Sequence, residues 1–164
     1  MTALKTINYR GGIARFRVPH CWVEEYEPAG GGTFYEDGSD TGTLRINVMD
    51  FEKAAEARSS AETARDILIG LGGSGQVEQL SAGVAVERSR RTAVESDKEL
   101  LIYTWQVGVQ VSPAHFRLVM FTYTILAEQE HKPPVRQEMQ LLDKSIAEGE
   151  YPPVRGKAGD YVHE

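Results

Sequence analysis

The fold is decided by two neighbouring stretches, Leu100–Val111 (LLIYTWQVGVQV) and His115–Gln129 (HFRLVMFTYTILAEQ), separated by a Ser112-Pro113 break. Each is long enough for one extended strand. In the first, Leu101, Tyr103, Trp105, Val107 and Val109 share one side, and Leu100, Ile102, Thr104, Gln106 and Gly108 the other. In the second, Phe116, Leu118, Met120, Thr122, Thr124 and Leu126 oppose Arg117, Val119, Phe121, Tyr123 and Ile125. The alternation has period two, as a strand requires. Large side chains on both faces imply cover on both, because an antiparallel sheet with one wet face shows a polar side. The expectation is an α+β domain, an antiparallel sheet flanked by helices, with helices on both sides of the sheet or a ligand on one side.

Working outward toward the N-terminus, Ile13–Val18 alternates and is stopped by Pro19. Trp22–Tyr26, Thr33–Glu36 and Thr43–Phe51 follow as strands, joined by Gly30-Gly31-Gly32 and by Asp37-Gly38-Ser39-Asp40. The first third therefore reads as a meander. The period then changes. Ser59 and Glu62 form a capping box, and Ala61, Ala64, Ile67, Leu68 and Leu71 recur at helical spacing until Gly70, Gly72 and Gly73. Gln76–Leu80 and Val84–Ala93 return to strand, with a Ser96-Asp97 turn before the two long stretches. After Pro133-Pro134, Val135, Met139, Leu142 and Ile146 mark an amphipathic helix ending near Gly149. Residues 1–150 are expected to form a single domain, and 151–164, with two prolines, two glycines and mixed charge, a surface or disordered tail.

The 164 residues are 41% hydrophobic, enough for one full core. A net charge of −6 argues against a nucleic-acid partner, since no cationic excess exists to neutralise phosphates. Arg88, Arg90 and Arg91 form only a small basic cluster. The start of the chain lacks an apolar signal core, and no run approaches the roughly 20 apolar residues of a membrane span; a cytoplasmic protein without membrane insertion is the expectation. The lone Cys21 supports no intrachain disulfide. It reads as a buried or half-buried inert thiol, and neighbouring His20 points to the opposite strand face, a poor position for a base.

Catalytic chemistry has little to stand on. His20, His115, His131 and His163 fit no metal-ligand spacing and read as surface residues. The glycines at 70, 72, 73 and 75 follow a helix, whereas a phosphate loop precedes one. The acidic residues of the first third, Glu24 to Asp40, read as a solvated edge that also suits a basic partner. No catalytic residue, metal ligand or cofactor is assigned. What stands out is aromatic area interleaved with placed polar groups on the sheet, the composition of a concave surface that holds an apolar peptide or helix.

Phe16-Arg17-Val18-Pro19-His20-Cys21-Trp22 resembles an F-x-x-P-x-x-W opening strand and turn. The strand Leu44-Arg45-Ile46-Asn47-Val48, the first helix, and Leu141-Leu142-Asp143-Lys144-Ser145-Ile146, similar to an LD-x-S-I closing helix, continue the pattern. Over about residues 13–148 the chain resembles the PsbP-like superfamily, which includes a nuclear-import accessory protein binding a small GTPase. It resembles most the bacterial branch that includes chaperones for type VI secretion effectors. The resemblance implies an α/β/α sandwich without catalytic activity and a chaperone-like function. In the secretion chaperones a homodimer cups apolar helices of the effector. On physical grounds rather than by motif, Asn47, Tyr103, Trp105, Gln106 and Thr122 are the expected partner-binding residues. The competing expectations are a small hydrolase, which a polar pocket joining His20 or His115 to Cys21 or a carboxylate would favour, and a structural or immunity-like adaptor.

Overall fold

The computed structural model of the chain describes residues 3–52, 64–71 and 76–153. Leu4–Tyr9 (β1) and Ala14–Pro19 (β2) pair antiparallel as a two-stranded sheet of their own. Ile7 lies opposite Phe16 and Tyr9 opposite Ala14, so one face of the hairpin is apolar and buried. Between them Arg10, Gly11 and Gly12 all take positive φ, 47°, 69° and 104°, in a single 3-10 turn; two glycines make that reversal accessible. The sequence reading begins its first strand at Ile13 and misses β1. It also places the Ile13–Val18 strand in the meander, whereas β2 leaves for a separate layer.

The main sheet holds Val23–Tyr26 (β3), Gly32–Tyr35 (β4), Thr43–Glu52 (β5), Gln76–Ser81 (β6), Val84–Glu95 (β7), Lys98–Ser112 (β8) and His115–Leu126 (β9). All neighbours are antiparallel in the order β3-β4-β5-β9-β8-β7-β6. The two decisive stretches are β8 and β9. They pair with Trp105 opposite Phe121 and Gln106 opposite Met120, as the alternation of each requires. Ala127–Gln129, expected as the end of the last strand, is instead a 3-10 turn, and the buried Gln129 side chain accepts the Leu126 amide and donates to Asp40.

Two helices flank the sheet, giving a mixed α+β fold. Pro133–Ala147 (α2) begins at its proline pair, where a missing N–H costs nothing. It buries Val135, Leu142 and Ile146, with Met139 beside them, against one face. The β1–β2 hairpin shares that face, and the aromatic rings of Phe16, Phe34 and Phe121 meet edge to face at 5.5 and 5.0 Å. The Ser145 hydroxyl joins the two covering elements, accepting the Arg17 amide at 2.7 Å and donating to the Arg17 carbonyl at 2.6 Å. Glu150 then exchanges two backbone bonds with Arg15. Tyr151, where the tail is expected to begin, is buried, and its hydroxyl donates to the Ile146 carbonyl at 2.6 Å. The large ring anchors the chain to the core four residues past the helix.

Ala64–Gly70 (α1) lies on the other face of the sheet, at one end. Only Ala64 and Leu68 are buried on it, packing with Ala85, Phe116 and Leu118 into a small second core. The expected capping box at Ser59–Glu62, the glycines at 72, 73 and 75, and residues 154–164 of the expected tail lie outside the described residues. No described helix is long and apolar enough to cross a membrane.

Candidate functional site

Strand register assigns every side chain of the main sheet to a face. Opposite residues in an antiparallel pair share a face, so Glu24, Phe34, Leu44, Tyr123, Tyr103 and Arg90 line up under α2. The five expected partner-binding residues divide between the faces. Tyr103 and Trp105 belong to the α2 side. Trp105 is 3% exposed, and its indole Nε1 donates to Asp143 Oδ1 on α2 at 2.9 Å. Tyr103 is half-buried and donates to Glu130 Oε2 at 2.8 Å; burial and that carboxylate push its phenol upward. Both residues seat the covering helix and its approach. Asn47, Gln106 and Thr122 lie together on the opposite face, linked through Met120, which sits opposite both Asn47 and Gln106.

Among the described residues no element covers that opposite face beyond α1. Three transverse rows cross it. The first runs Asn47, Met120, Gln106, Glu87; the second Thr33, Arg45, Thr122, Thr104, Ser89; the third Tyr35, Thr43, Thr124, Ile102, Arg91. Apart from Glu87, no side chain in these rows is buried, and Met49 beside them is 49% exposed. Five strands at about 4.8 Å spacing make the face roughly 20 Å wide, and three rows about 6.8 Å apart make it roughly 14 Å long. An α-helix with side chains is about 10–12 Å across, so one fits with its flanks still in contact. The surface is amphipathic: threonine methyls, Met49, Met120 and Ile102 supply apolar area, while threonine hydroxyls, Asn47 and Gln106 supply hydrogen-bonding groups. Arg45, on β5 in the middle row, and Arg91, at the β7 side, are exposed on it. Met49, Met120 and Glu87 were not among the expected residues. The alternation of β8 already separates Trp105 from Gln106, but only pairing with β5 and β7 brings these three into place.

Glu87 is the unusual member. It is 3% exposed, and its Oε2 has no hydrogen-bond partner. Around Asp50 buried charge is paired. Asp50 Oδ1 accepts Arg117 Nε at 2.9 Å and lies 2.9 Å from His115 Nε2. His115 is therefore not the surface residue the sequence suggests; β9 starts there, and Asp50 on the adjacent strand holds its ring inward. The basic cluster is also not a patch. Arg88 pairs with Asp143 and Glu78, Arg90 with Glu130, and Arg91 points to the other face.

Cys21 is exposed rather than buried, because it falls in the turn between β2 and β3. It lies in a cleft of about 210 Å³ with Trp22, Glu36, Thr41 and Glu138. Its Sγ is 3.6 Å from Glu36 Oε1. A thiolate nucleophile needs a cation or imidazole beside it, and this thiol has a carboxylate. Glu138 accepts the Tyr123 hydroxyl at 2.5 Å, and burial raises its carboxyl above the ordinary value. Among the described residues no group of three or more His, Cys, Asp or Glu side chains is placed to hold a metal ion.

No family model and no curated protein matches the chain. Solved structures do. A protein from Bacteroides thetaiotaomicron VPI-5482 aligns with a TM-score of 0.60 at 18% identity, over 92% of this chain and 49% of that one. The chain thus spans about half the length of that protein. LpqN, involved in cell envelope biogenesis of Mycobacterium tuberculosis, aligns with a TM-score of 0.55 at 13% identity, over 87% and 88%. The Saccharomyces cerevisiae Ran-binding protein Mog1p gives 0.45 at 10% identity, over 92% and 96%. At these identities the first two likenesses speak for the fold alone.

Proposed function

We propose that this chain is a noncatalytic, chaperone-like protein-binding domain whose open sheet face receives an apolar or amphipathic helix of a partner protein. One observation carries the reading: a three-row, half-apolar face of the sheet, centred on Asn47, Met120, Gln106 and Thr122, has no described element over it. Placed polar groups among apolar area suit a helix that must be held yet remain exchangeable. Area sets the strength. About 20 by 14 Å gives on the order of 300 Å², less than half the ~800 Å² per partner of a stable interface. Tight binding therefore needs the partner to reach the rim at α1 or at β3–β4. The finer proposal is that the fold is a PsbP-like α/β/α sandwich of the bacterial secretion-chaperone branch. The partner to try first is then an apolar helical segment of a type VI secretion effector, in the cytoplasm.

The test uses a synthetic apolar helical peptide of about 20 residues, a membrane-span length, titrated into the isotopically labelled chain. Amide shifts are expected to concentrate at Asn47, Met49, Gln106 and Thr122. Met49→Asp should abolish them while leaving the unfolding curve within about 0.5 kcal/mol, as for an exposed position. Trp105→Ala should do the reverse, costing about 3–5 kcal/mol with the shift pattern retained under native conditions. Shifts confined to the α2 side, or none at all, would remove the receptor reading.

A further inference from the structure

Among the described residues β7 outruns the strand beside it, and its ladder with β6 reaches the Gln76–Arg88 pair. From Ser89 to Glu95 its outer edge has no partner strand among the described residues. The direction of each backbone group follows from the ladder with β8. Gln110 N–H donates to Gly83 O at 2.8 Å, and antiparallel bonding alternates residue by residue. Odd-numbered residues of β7 therefore bond β8, and the amides and carbonyls of Arg90, Thr92 and Val94 point away from the sheet. Edges of this kind are usually blunted by proline, a bulge or a cover. This segment has no proline and no register shift against β8, and Val94 is 76% exposed.

We propose that this edge pairs antiparallel with the same edge of a second copy of the chain, about a two-fold axis through Ala93. The segment Ser-Arg-Arg-Thr-Ala-Val-Glu contains its own complement. About Ala93, Thr92 and Val94 of one copy exchange ladder bonds with Val94 and Thr92 of the other, which uses the outward-pointing groups. Arg91 then lies opposite Glu95 twice, at non-hydrogen-bonded positions where side chains come closest. Neighbouring registers lose this match. Centred on Thr92, Arg91 meets Ala93; centred on Arg91, two guanidinium groups face each other. The contact is smaller than a standard interface, so the dimer is weak and concentration-dependent. It rests on the edge alone and stands whether or not the open face is a receptor.

Sedimentation of the full chain from about 10 μM to about 1 mM at low salt tests it. A reversible monomer–dimer equilibrium is expected. Arg91→Glu and Glu95→Arg should each weaken association about tenfold, because each turns two attractive cross-strand pairs into repulsive ones. The double charge reversal should restore association to within about threefold. Both positions are exposed, and circular dichroism confirms that the variants fold. A chain that stays monomeric across the range overturns the proposal and leaves the edge to a strand of another protein. A dimer indifferent to the single reversals, or not rescued by the double, overturns the pairing.

Discussion

At the scale of single residues, polar groups decide how α2 is seated. Asp143 takes both the Trp105 indole and Arg88 Nε, at 2.9 and 2.6 Å, so one carboxylate ties the helix to two strands. Glu138 is less well placed. It accepts from Tyr123, whose hydroxyl also receives the Gly42 amide, but burial holds its carboxyl above the ordinary 4.5. A group that binds its proton more tightly in the folded chain contributes most below its unfolded pKa, and the contribution fades as pH rises through the folded one. Glu138→Gln keeps an acceptor for Tyr123 and removes the charge. Its unfolding free energy relative to the native protein should therefore rise with pH from about 4.5 upward. Urea unfolding at a series of pH values measures this, and a flat difference would show that Glu138 titrates normally. Residues of this kind are poorly legible in sequence. His115 reads as exposed because nothing local announces Asp50 opposite its strand, and Cys21 reads as buried because the turn at its position is indistinguishable from a strand start.

At the scale of elements, the strands were legible and their allegiance was not. The period-two pattern of β8 and β9 survives intact in the ladder, since a one-residue slip would turn every buried side chain outward. β1 alternates Lys5, Ile7 and Tyr9 against Leu4, Thr6 and Asn8, but each side mixes polar with apolar residues and the strand precedes a glycine turn. The helix α1 depends on a single glycine of β8. A Cβ on Gly108 would meet Phe116 Cζ at 2.7 Å and Leu68 Cγ at 3.1 Å. Its described residues bury Ala64 and Leu68, and their seat over Gly108, Ala85, Phe116 and Leu118 is what holds them to the sheet. Gly→Ala in a strand ordinarily gains about 0.4–1 kcal/mol from the unfolded state. Here overpacking should win, with Gly108→Ala destabilising by about 1–3 kcal/mol and raising amide exchange in Ala64–Gly70. A neutral or stabilising outcome in denaturant unfolding would mean that α1 does not rest there.

At the scale of the whole molecule, the sheet separates two unequal cores. The α2 side joins both sheets, the hairpin and Tyr151 into one cluster, whereas the α1 side holds Ala64, Leu68, Ala85, Phe116 and Leu118. Which face is covered could not be read from β8 and β9, because cover is set by where distant helices dock and not by the strands themselves. The inequality has a consequence for stability. Removing a buried Leu costs about 2–5 kcal/mol when the whole structure must bear it. Leu142 lies in the large cluster and offers no smaller unit to release, so Leu142→Ala should lower global stability by that full amount. Leu68 lies in the smaller described cluster, which is expected to open on its own, so the cost of Leu68→Ala should be capped by the free energy of docking α1. Its shift in the Trp105-reported unfolding midpoint should be less than half that of Leu142→Ala, with exchange protection lost over Ala64–Leu71 and retained in β8 and β9. Equal midpoint shifts would make α1 an integral part of one cooperative core, and the face it partly covers a fixed surface instead of one with a movable end.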